Sequence, residues 1–367
     1  MSLLQSLGDM ARERIVSAKD PGNTEETHFA YSLRPRRFAD YIGQEKLLKK
    51  LRIAVTAASS RSEPVEHVLL HGPPGLGKTT LAHVVANEVG AQVHVVAGPA
   101  LTRGADLTGI LTRLGRGDVL FIDEIHRIPP VVEEMLYSAM EDYKIDFTSD
   151  VGMHARTMTL PLNPFTLIGA TTRIGLLTGP MRSRFGIVEH IEFYSADSLY
   201  EILRQNAKLL NLEAEEAALK ELSGRSRGTP RIANRLLRRV RDFATVESHG
   251  TLTVPVTQSA LRLEGIDEKG LDEQDRTFLH TLIEVYDGGP VGIDAIAATM
   301  GEERDTLEDV IEPYLLQTKP PMLTRTRQGR RATKAAYEHL KLKWKPPKGA
   351  NGDGPTFFGD DENSGAS

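Results

Sequence analysis

The stretch 72-GPPGLGKTT-80 matches the phosphate-loop pattern G-x-x-x-x-G-K-[ST]. It follows the apolar run 67-HVLLH-71 and leads into the helical run 80-TLAHVVANEV-89, which is the strand–loop–helix context that the pattern requires. Glycines at this point would let backbone N–H groups surround phosphate oxygens, Lys78 would reach the β- and γ-phosphates, and the Thr79 hydroxyl would bind Mg²⁺. The stretch predicts a nucleotide site, although a glycine-rich turn can match the pattern by chance.

Further apolar runs place this loop in an α/β domain. Alternation of short β-rich runs with helical ones continues to about residue 195, and the strand candidates are 93-VHVVA-97, 118-DVLFID-123 and 165-FTLIGA-170. Strands that are apolar almost throughout are typical of a parallel sheet with helices on both faces. The sequence therefore predicts a doubly covered parallel sheet with the phosphate loop after one strand.

Two of these strand candidates end in residues suited to phosphate chemistry. Asp123 and Glu124 follow one buried strand; Asp123 would hold Mg²⁺ and Glu124 would polarise an attacking water. An apolar strand followed by Asp-Glu is often only structural, and the phosphate loop is what favours the catalytic interpretation. Thr172 follows another strand, where it would either sense the γ-phosphate or cap the strand end.

Composition excludes several classes of protein. The 367 residues include no cysteine, which excludes disulfides, thiol catalysis and cysteine-based metal sites. No apolar run approaches the length of a membrane span, and the charged N-terminus does not resemble a signal peptide, so we expect a cytoplasmic protein without membrane contact. The net charge of −5 means that any nucleic-acid contact must come from a local basic patch.

The pattern changes after Tyr194 to helices punctuated by Gly, Ser and Pro. From Gly265 it reads as three helices, a hairpin around Gln328-Gly329 and a last helix, which is the order of a winged-helix domain. The predicted divisions are a mobile arm (1–32), a large ATPase domain (33–195), a helical lid (196–264), a winged helix (265–345) and a disordered tail (346–367).

Taken together, the motifs resemble one family of AAA+ ATPases. The runs 33-LRPRRFADYIGQ-44, 72-GPPGLGKTTLA-82, 121-FIDEIHR-127, 169-GATTR-173, 182-RSRFG-186 and 228-GTPRIANR-235 occur in AAA+ order, and phrases such as 131-VVEEMLYSAMEDY-143 and 301-GEERDTLEDVIEPYL-315 are similar to the RuvB family in particular. The resemblance extends from about Leu33 to Leu340. It implies a hexameric motor of Holliday-junction branch migration.

The resemblance also implies a set of nucleotide contacts. Most would come from the phosphate loop and the segments around it, and Tyr194 and Arg231 would close over the nucleotide from the lid. From the residues alone, Arg231 at a predicted helix start between two domains could report loss of the γ-phosphate, but a surface arginine of the basic helix 231-RIANRLLRRVR-241 is the better interpretation. The implied contacts are Leu33, Arg34, Tyr41, Ile42, Gly75, Lys78, Thr79, Thr80, Glu141, Asp142, Tyr143, Arg184, Tyr194 and Arg231.

The stretch 179-GPMRSRFG-186 carries two arginines just after the Thr172 strand. At the edge of an ATPase domain, a cation can stabilise the transition-state charge on a phosphate bound by the next subunit. The family assigns this finger to Arg184, with Arg182 beside it. The stretch therefore predicts a homo-oligomer.

The segment 141-EDYKIDFTSDVGMHARTMTLPL-162 alternates as two strands around Gly152. Ile145, Phe147, Met158 and Leu160 are candidates for one apolar face, and the plain interpretation is a hairpin packed on the core. In RuvB proteins a hairpin here docks the partner RuvA, and its base lies near a nucleotide. Met153 and His154 depart from the usual run of the family.

The charge distribution in the winged helix favours the hairpin over the third helix as the DNA contact. The helical run 302–316 has six acids and one arginine, whereas the segment 319–331 has five basic residues and no acid. Such contacts bind the phosphate backbone without specifying sequence. The resemblance selects Arg325 and Arg330 as the residues that contact DNA. The alternative interpretation is a solvated basic hairpin without a ligand. This chain also departs from the usual run of the family by an extra Lys-Pro-Pro before the wing.

Together with the nucleotide motifs, the resemblance to the RuvB family implies an ATP- and Mg²⁺-dependent motor that acts on double-stranded DNA at Holliday junctions with RuvA and the RuvC resolvase. A clamp loader or replication initiator is a rival, but clamp loaders usually have Ser-Arg-Cys where this chain has Arg-Ser-Arg. Protein unfoldases need an aromatic pore loop, which the run 99–114 lacks. A non-hydrolysing scaffold is disfavoured because Lys78, Asp123 and Glu124 are all present.

Overall fold

The structure is a computed structural model that describes residues 33–148 and 157–345. The predicted arm (1–32), the predicted tail (346–367) and the Met153 and His154 positions lie outside the described residues. Contacts divide the chain into two compact units, with the division between Asp272 and Glu273. No helix in the described ranges is long and apolar enough to cross a membrane.

The first unit contains a five-stranded parallel sheet. The order of its strands is β2-β3-β6-β1-β7, so the strand before the phosphate loop lies between strands from later in the chain. The predicted parallel sheet is confirmed; β7, whose exposure alternates along an edge, is a strand that the apolar pattern did not reveal. The strands are β1 Val68–His71, β2 Val93–Ala97, β3 Val119–Asp123, β6 Thr166–Thr171 and β7 Ile187–His190.

Helices pack on this sheet through apolar faces. The first helix buries Leu47, Leu48, Leu51, Val55 and Ala58, whose spacing of three and four residues places them on one side of the helix. The second helix begins directly after Gly77, at the end of the phosphate loop. The helices of this region are α1 Glu45–Arg61, α2 Lys78–Val89, α3 Gly104–Leu111, α4 Pro130–Asp142 and α5 Gly179–Ser183.

The predicted hairpin after α4 forms as two antiparallel strands, β4 Lys144–Thr148 and β5 Thr157–Pro161. In the register of the two strands, Ile145 pairs with Leu160 and Phe147 pairs with Met158. Ile145 is fully buried in the core of the ATPase region. The base of the hairpin is therefore anchored in the domain.

Four helices follow the sheet within the same unit and form the lid. Threonine or serine side chains cap three of them: Ser195, Thr229 and Thr253 each accept a hydrogen bond from the backbone N–H three residues on. Their apolar residues join the core that also covers β1 and α2. The lid helices are α6 Ala196–Leu209, α7 Glu216–Gly224, α8 Pro230–Glu247 and α9 Val254–Leu263.

The second unit has the predicted winged-helix order. Three helical segments precede a two-stranded wing and one helix follows it, and Val291 makes a bridge to Arg330 that adds a third segment to the wing. The elements are α10 Glu273–His280 with its continuation Thr281–Val285, α11 Ile293–Met300, α12 Arg304–Thr306 with its continuation Leu307–Ile311, α13 Glu312–Gln317, β8 Leu323–Thr326, β9 Gly329–Ala332 and α14 Lys334–His339.

Candidate functional site

The phosphate loop joins β1 to α2 at the carboxyl edge of the sheet. Gly72, Gly75 and Gly77 all have positive φ (142°, 79° and 96°), the conformation that only glycine adopts without strain. Lys78 is buried, and its Nζ donates to the carbonyl oxygens of Gly72 (2.8 Å) and Pro73 (2.9 Å). The loop thus presents the start of a helix and a buried ammonium group to the same space, an arrangement that suits a polyphosphate.

Two tyrosines close one side of this loop. The Tyr194 hydroxyl donates to the Tyr41 hydroxyl at 3.0 Å and also contacts the Leu76 carbonyl at 3.4 Å. A Cβ at Gly77 would lie 2.9 Å from the Tyr41 hydroxyl, so this close approach also requires glycine. Burial raises the pKa of both tyrosine hydroxyls above their ordinary value.

The other residues assigned to the adenine pocket lie in the same N-terminal segment as Tyr41. Leu33 is buried, whereas Arg34 and Ile42 are partly exposed. Thr79 and Thr80 are partly exposed on the first turn of α2. Of the segment 33–42, the structure places Tyr41 against the loop, through the close approach to Gly77 and the contact with Tyr194.

The lid contacts the phosphate loop directly. The Arg231 backbone N–H donates to the Gly75 carbonyl at 3.3 Å, and a Cβ at Gly75 would lie 3.1 Å from the Arg231 Cβ. Pro230 begins α8 here, so the stem of Arg231 lies over the loop while its side chain remains exposed. Any shift of the loop against the lid must change this contact.

Asp123 ends β3, and Glu124 turns sharply away from it. Glu124 has a left-handed backbone (φ 49°, ψ 46°), a conformation that is strained for a non-glycine residue and is often found at functional sites. Its N–H donates to the Asp123 Oδ1 at 3.0 Å. A Cβ at Gly98 would lie 2.4 Å from the Glu124 carbonyl oxygen, so only glycine at that position leaves room for this turn.

Glu124 contacts Thr172 and a residue that the sequence analysis did not single out. The Thr172 hydroxyl donates to Glu124 Oε2 at 3.3 Å, which brings the two predicted residues together. His126 Nδ1 lies 3.2 Å from the same oxygen and 2.8 Å from the Thr171 hydroxyl. The one feature of the sequence that could have pointed to His126 is its position two residues after Glu124. Spacing alone does not show whether the His126 side chain turns toward Glu124.

Arg184 lies at the opposite, amino edge of the sheet. Its guanidinium contacts Glu141 at 3.2 Å, donates to the Pro180 carbonyl at 2.8 Å and stacks over the Tyr137 ring at 4.2 Å. The residue lies just before β7, whose first N–H donates to the His67 carbonyl ahead of β1. Arg182 is exposed on the same short helix.

Tyr143 lies at this amino edge as well. Its ring contacts those of His67 and Phe165, each of which precedes a strand of the sheet. Asp142, beside it, pairs with Lys144 at 2.8 Å. From His67 to the end of β1 the chain rises by about 13 Å. Arg184, Glu141, Asp142 and Tyr143 therefore form a group separated from the phosphate loop of their own chain by the length of a strand.

The two arginines assigned to DNA are both paired with acids inside the second unit. Glu312 is 0% exposed and accepts from Arg325 (2.6 Å) and from Arg330 (2.6 and 3.0 Å). Arg330 also donates to Glu308 at 3.0 Å and has only 16% of its side chain exposed, whereas Arg325 has 52% exposed. The hydrogen bonds that Arg330 donates to Glu312 raise the pKa of its guanidinium.

These pairs change how the charges of the winged helix are understood. From the sequence, the acids of the helical run 302–316 were expected to repel DNA phosphates. In the structure, two of them, Glu308 and Glu312, face the wing and are neutralised by its arginines. Burial acts to raise the pKa of Glu308, but Arg304 and Arg330 outweigh it and hold that pKa below the usual value. Arg327, in the two-residue turn of the wing, is exposed.

Comparison with known proteins identifies the family. Three family models match consecutive parts of the chain: the Holliday junction DNA helicase RuvB P-loop domain (residues 33–191), the RuvB AAA lid domain (194–267) and the RuvB C-terminal winged helix domain (268–341). The Holliday junction branch migration complex subunit RuvB of Desulfosudis oleivorans is 56% identical over 315 residues, which cover 86% of this chain and 91% of that protein.

Solved structures agree with the family models. The structure of the Thermotoga maritima RuvB Holliday junction branch migration motor has a TM-score of 0.78 and 49% identity, covering 86% of this chain and 100% of that one. A Lys-to-Arg variant of the same protein has a TM-score of 0.79 and 50% identity, covering 85% and 99%. The predicted resemblance and fold class are confirmed, and the chain belongs to the RuvB family of AAA+ ATPases.

Proposed function

We propose that this chain is an ATP-driven DNA motor that moves Holliday junctions by branch migration, in recombination and repair, as a homohexameric ring with RuvA. The observation that carries the proposal is the separation of two half-sites. The phosphate loop, Asp123 and Glu124 lie at the carboxyl edge of one sheet, and Arg184 lies at the amino edge. The name of the related RuvB protein supports the Holliday junction as the substrate, and we extend the proposal to RuvC as a further partner.

The loop residues fit ATP with Mg²⁺. Lys78 is buried at a helix start and would hold the β- and γ-phosphates, with the N–H groups of Gly75 and Thr80 beside it. Thr79 and Asp123 are partly exposed oxygen donors at the same edge, the type of ligand that Mg²⁺ prefers. The ion, when bound, would neutralise charge on the phosphate oxygens.

Glu124 and Thr172 are suited to orient the attacking water. Their side chains are in contact at 3.3 Å, beside Asp123 and at the end of the strand that adjoins β1. In phosphoryl transfer, most of the catalysis comes from positioning and from electrostatic stabilisation. We assign Glu124 to polarise the water and Thr172 to report the γ-phosphate.

Arg184 acts on the nucleotide of a neighbouring subunit. The length of β1 separates it from its own loop by about 13 Å, which exceeds the reach of an arginine side chain. Glu141, which pairs with it, and the adjacent Asp142 and Tyr143 would approach the same neighbouring nucleotide. Each site is then complete only between two copies of the chain, which favours a closed ring.

The lid and the wing would convert hydrolysis into movement. Tyr194 and Arg231 contact the loop from the lid, so a change in the loop on hydrolysis reaches α8 directly. In the separate winged-helix unit, Arg325 keeps half of its surface free for phosphates while Glu312 orients it, and Arg330 supports it from within. Backbone contacts of this kind suit a motor that tracks any sequence. We also infer that the hairpin β4–β5 docks RuvA and that the domain divisions lie near residues 195 and 264.

A junction assay tests the proposal. Purified chain, RuvA, ATP and Mg²⁺ are added to a labelled four-way junction, and the separation of its arms is followed. We expect movement with the natural chain and none with Glu124→Gln, which should still bind ATP. A junction that stays unmoved under these conditions, although the chain hydrolyses ATP, would overturn the motor and favour a loader; a chain that binds ATP and never hydrolyses it would favour the scaffold.

A further inference from the structure

His126 lies beside the acid that we assign to the attacking water. Its side chain is 7% exposed, and Nδ1 is 3.2 Å from Glu124 Oε2. The same nitrogen lies 2.8 Å from the Thr171 hydroxyl, and Thr171 itself is fully buried at the end of β6. A buried ring thus joins the strand that ends in Thr171 to the carboxylate of Glu124.

The chemistry of the contact determines which atom donates. An ionised carboxylate only accepts hydrogen bonds, so Nδ1 must carry the proton if this contact is attractive. The Thr171 oxygen accepts from the Arg173 N–H at 3.0 Å and lies 2.8 Å from the same ring nitrogen, so a proton on Nδ1 is shared between Thr171 and Glu124. Thr172 approaches the same carboxylate oxygen at 3.3 Å.

We propose that His126 is a positioning residue for Glu124. His126 and Thr172 both occupy Oε2, which leaves Oε1 as the oxygen that faces a water. A glutamate side chain has three rotatable bonds, and a strained left-handed backbone at Glu124 does not by itself restrict them. The contacts of His126 (3.2 Å) and Thr172 (3.3 Å) with one oxygen do restrict them, so the carboxylate is oriented before the nucleotide reacts. This inference rests on the proposed ATP hydrolysis at this site.

Two matched substitutions separate positioning from packing. His126→Asn retains an N–H donor near the place of Nδ1 but loses the ring, whereas His126→Phe retains a ring but has no donor. We expect kcat for ATP to fall about 10- to 100-fold in His126→Phe, as for loss of a hydrogen bond to a charged group, and to fall less than about threefold in His126→Asn. KM for ATP and the affinity for a fluorescent ADP should stay within about twofold in both.

The reverse order would overturn the inference, because a packing role predicts that phenylalanine is the better replacement. Natural turnover in a folded His126→Phe chain would overturn it too, whatever the state of His126→Asn. Single turnover then checks the pathway: added to Glu124→Gln, His126→Phe should cause no further loss, and an additive loss contradicts action through Glu124. If the natural chain itself hydrolyses no ATP, the proposed function fails instead, and the two failures are thereby distinguished.

Discussion

Replacing Glu312 with glutamine tests whether the wing is held in place by buried ion pairs. Glu312 is fully buried and makes three contacts of 2.6 to 3.0 Å with Arg325 and Arg330. Glutamine keeps the shape of the side chain but removes its charge, and its amide N–H₂ can face a guanidinium with which it cannot pair.

The loss can be bounded from the geometry. Breaking a buried ion pair costs about 3–5 kcal/mol, and a hydrogen bond to a charged group contributes about 1.5–3 kcal/mol. Solvent weakens the contribution of the ion pair with the half-exposed Arg325, and Arg330 keeps its ion pair with Glu308 at 3.0 Å. The expected loss therefore lies toward the lower end of these energies. We expect the free energy of local opening to fall by about 2–3 kcal/mol, which corresponds to an opening equilibrium constant about 30- to 150-fold larger.

Hydrogen exchange in the full chain measures this effect without separating the units. Protected amides in residues 305–332 should exchange about 30- to 150-fold faster in Glu312→Gln. Glu338→Gln is the matched control, because Glu338 forms an exposed pair with Lys334 in the same unit and such pairs contribute at most about 1 kcal/mol. Equal exchange in the two variants would refute the view that Glu312 holds the wing.

Three other predictions concern the ring, the acid turn and pH. Arg184→Ala should bind ATP normally, yet in rings mixed with the natural chain it should lower the ATPase rate by more than its fraction of the subunits. Arg182→Ala is the control. A fall in rate that only matches the fraction of variant subunits would contradict a finger that acts between subunits. In Gly98→Ala the new Cβ would lie 2.4 Å from the carbonyl oxygen of Glu124, so the free energy of unfolding in a urea titration should fall by about 1–3 kcal/mol and most of the ATPase rate should be lost. Unchanged turnover would show that this turn tolerates displacement. The pKa of Glu308 is lowered in the folded chain, so its ionised carboxylate stabilises the fold above the unfolded pKa, and this stabilisation is lost as pH falls through the folded pKa. Amide hydrogen exchange in the second unit should therefore accelerate in acid. The acceleration should be smaller in Glu308→Gln, which has no carboxylate to protonate.

Much of the site followed from local chemistry. The loop glycines, Lys78 and Asp123 were predicted because a strand–loop–helix pattern and an apolar strand ending in acids have few other uses. Glu124 and Thr172 each follow a predicted parallel strand, and because such strands end at one edge of a sheet, their contact at 3.3 Å agrees with that prediction. His126 was missed because its role depends on a side chain turning back across a short helical turn, which a linear spacing does not encode.

The wing shows a different limit. Its five basic residues and the six acids of the preceding helix were counted correctly as charges, but the count could not show that Glu308 and Glu312 face Arg330. A charge patch binds phosphates only with the charges that remain free after the fold has paired the others. The pairing depends on the register between a helix and a hairpin, which only packing determines.

By itself, the sequence determined the parallel sheet, the phosphate loop and the winged-helix order, because hydrophobic period, glycine placement and turn residues act over short distances. The tertiary structure decided which functional groups share a site. Whether Arg184 lies beside its own loop or a strand length away, and whether Arg330 faces solvent or Glu312, depends on contacts between residues distant in the chain. Side-chain chemistry is local, but the distance between two side chains is a property of the whole fold.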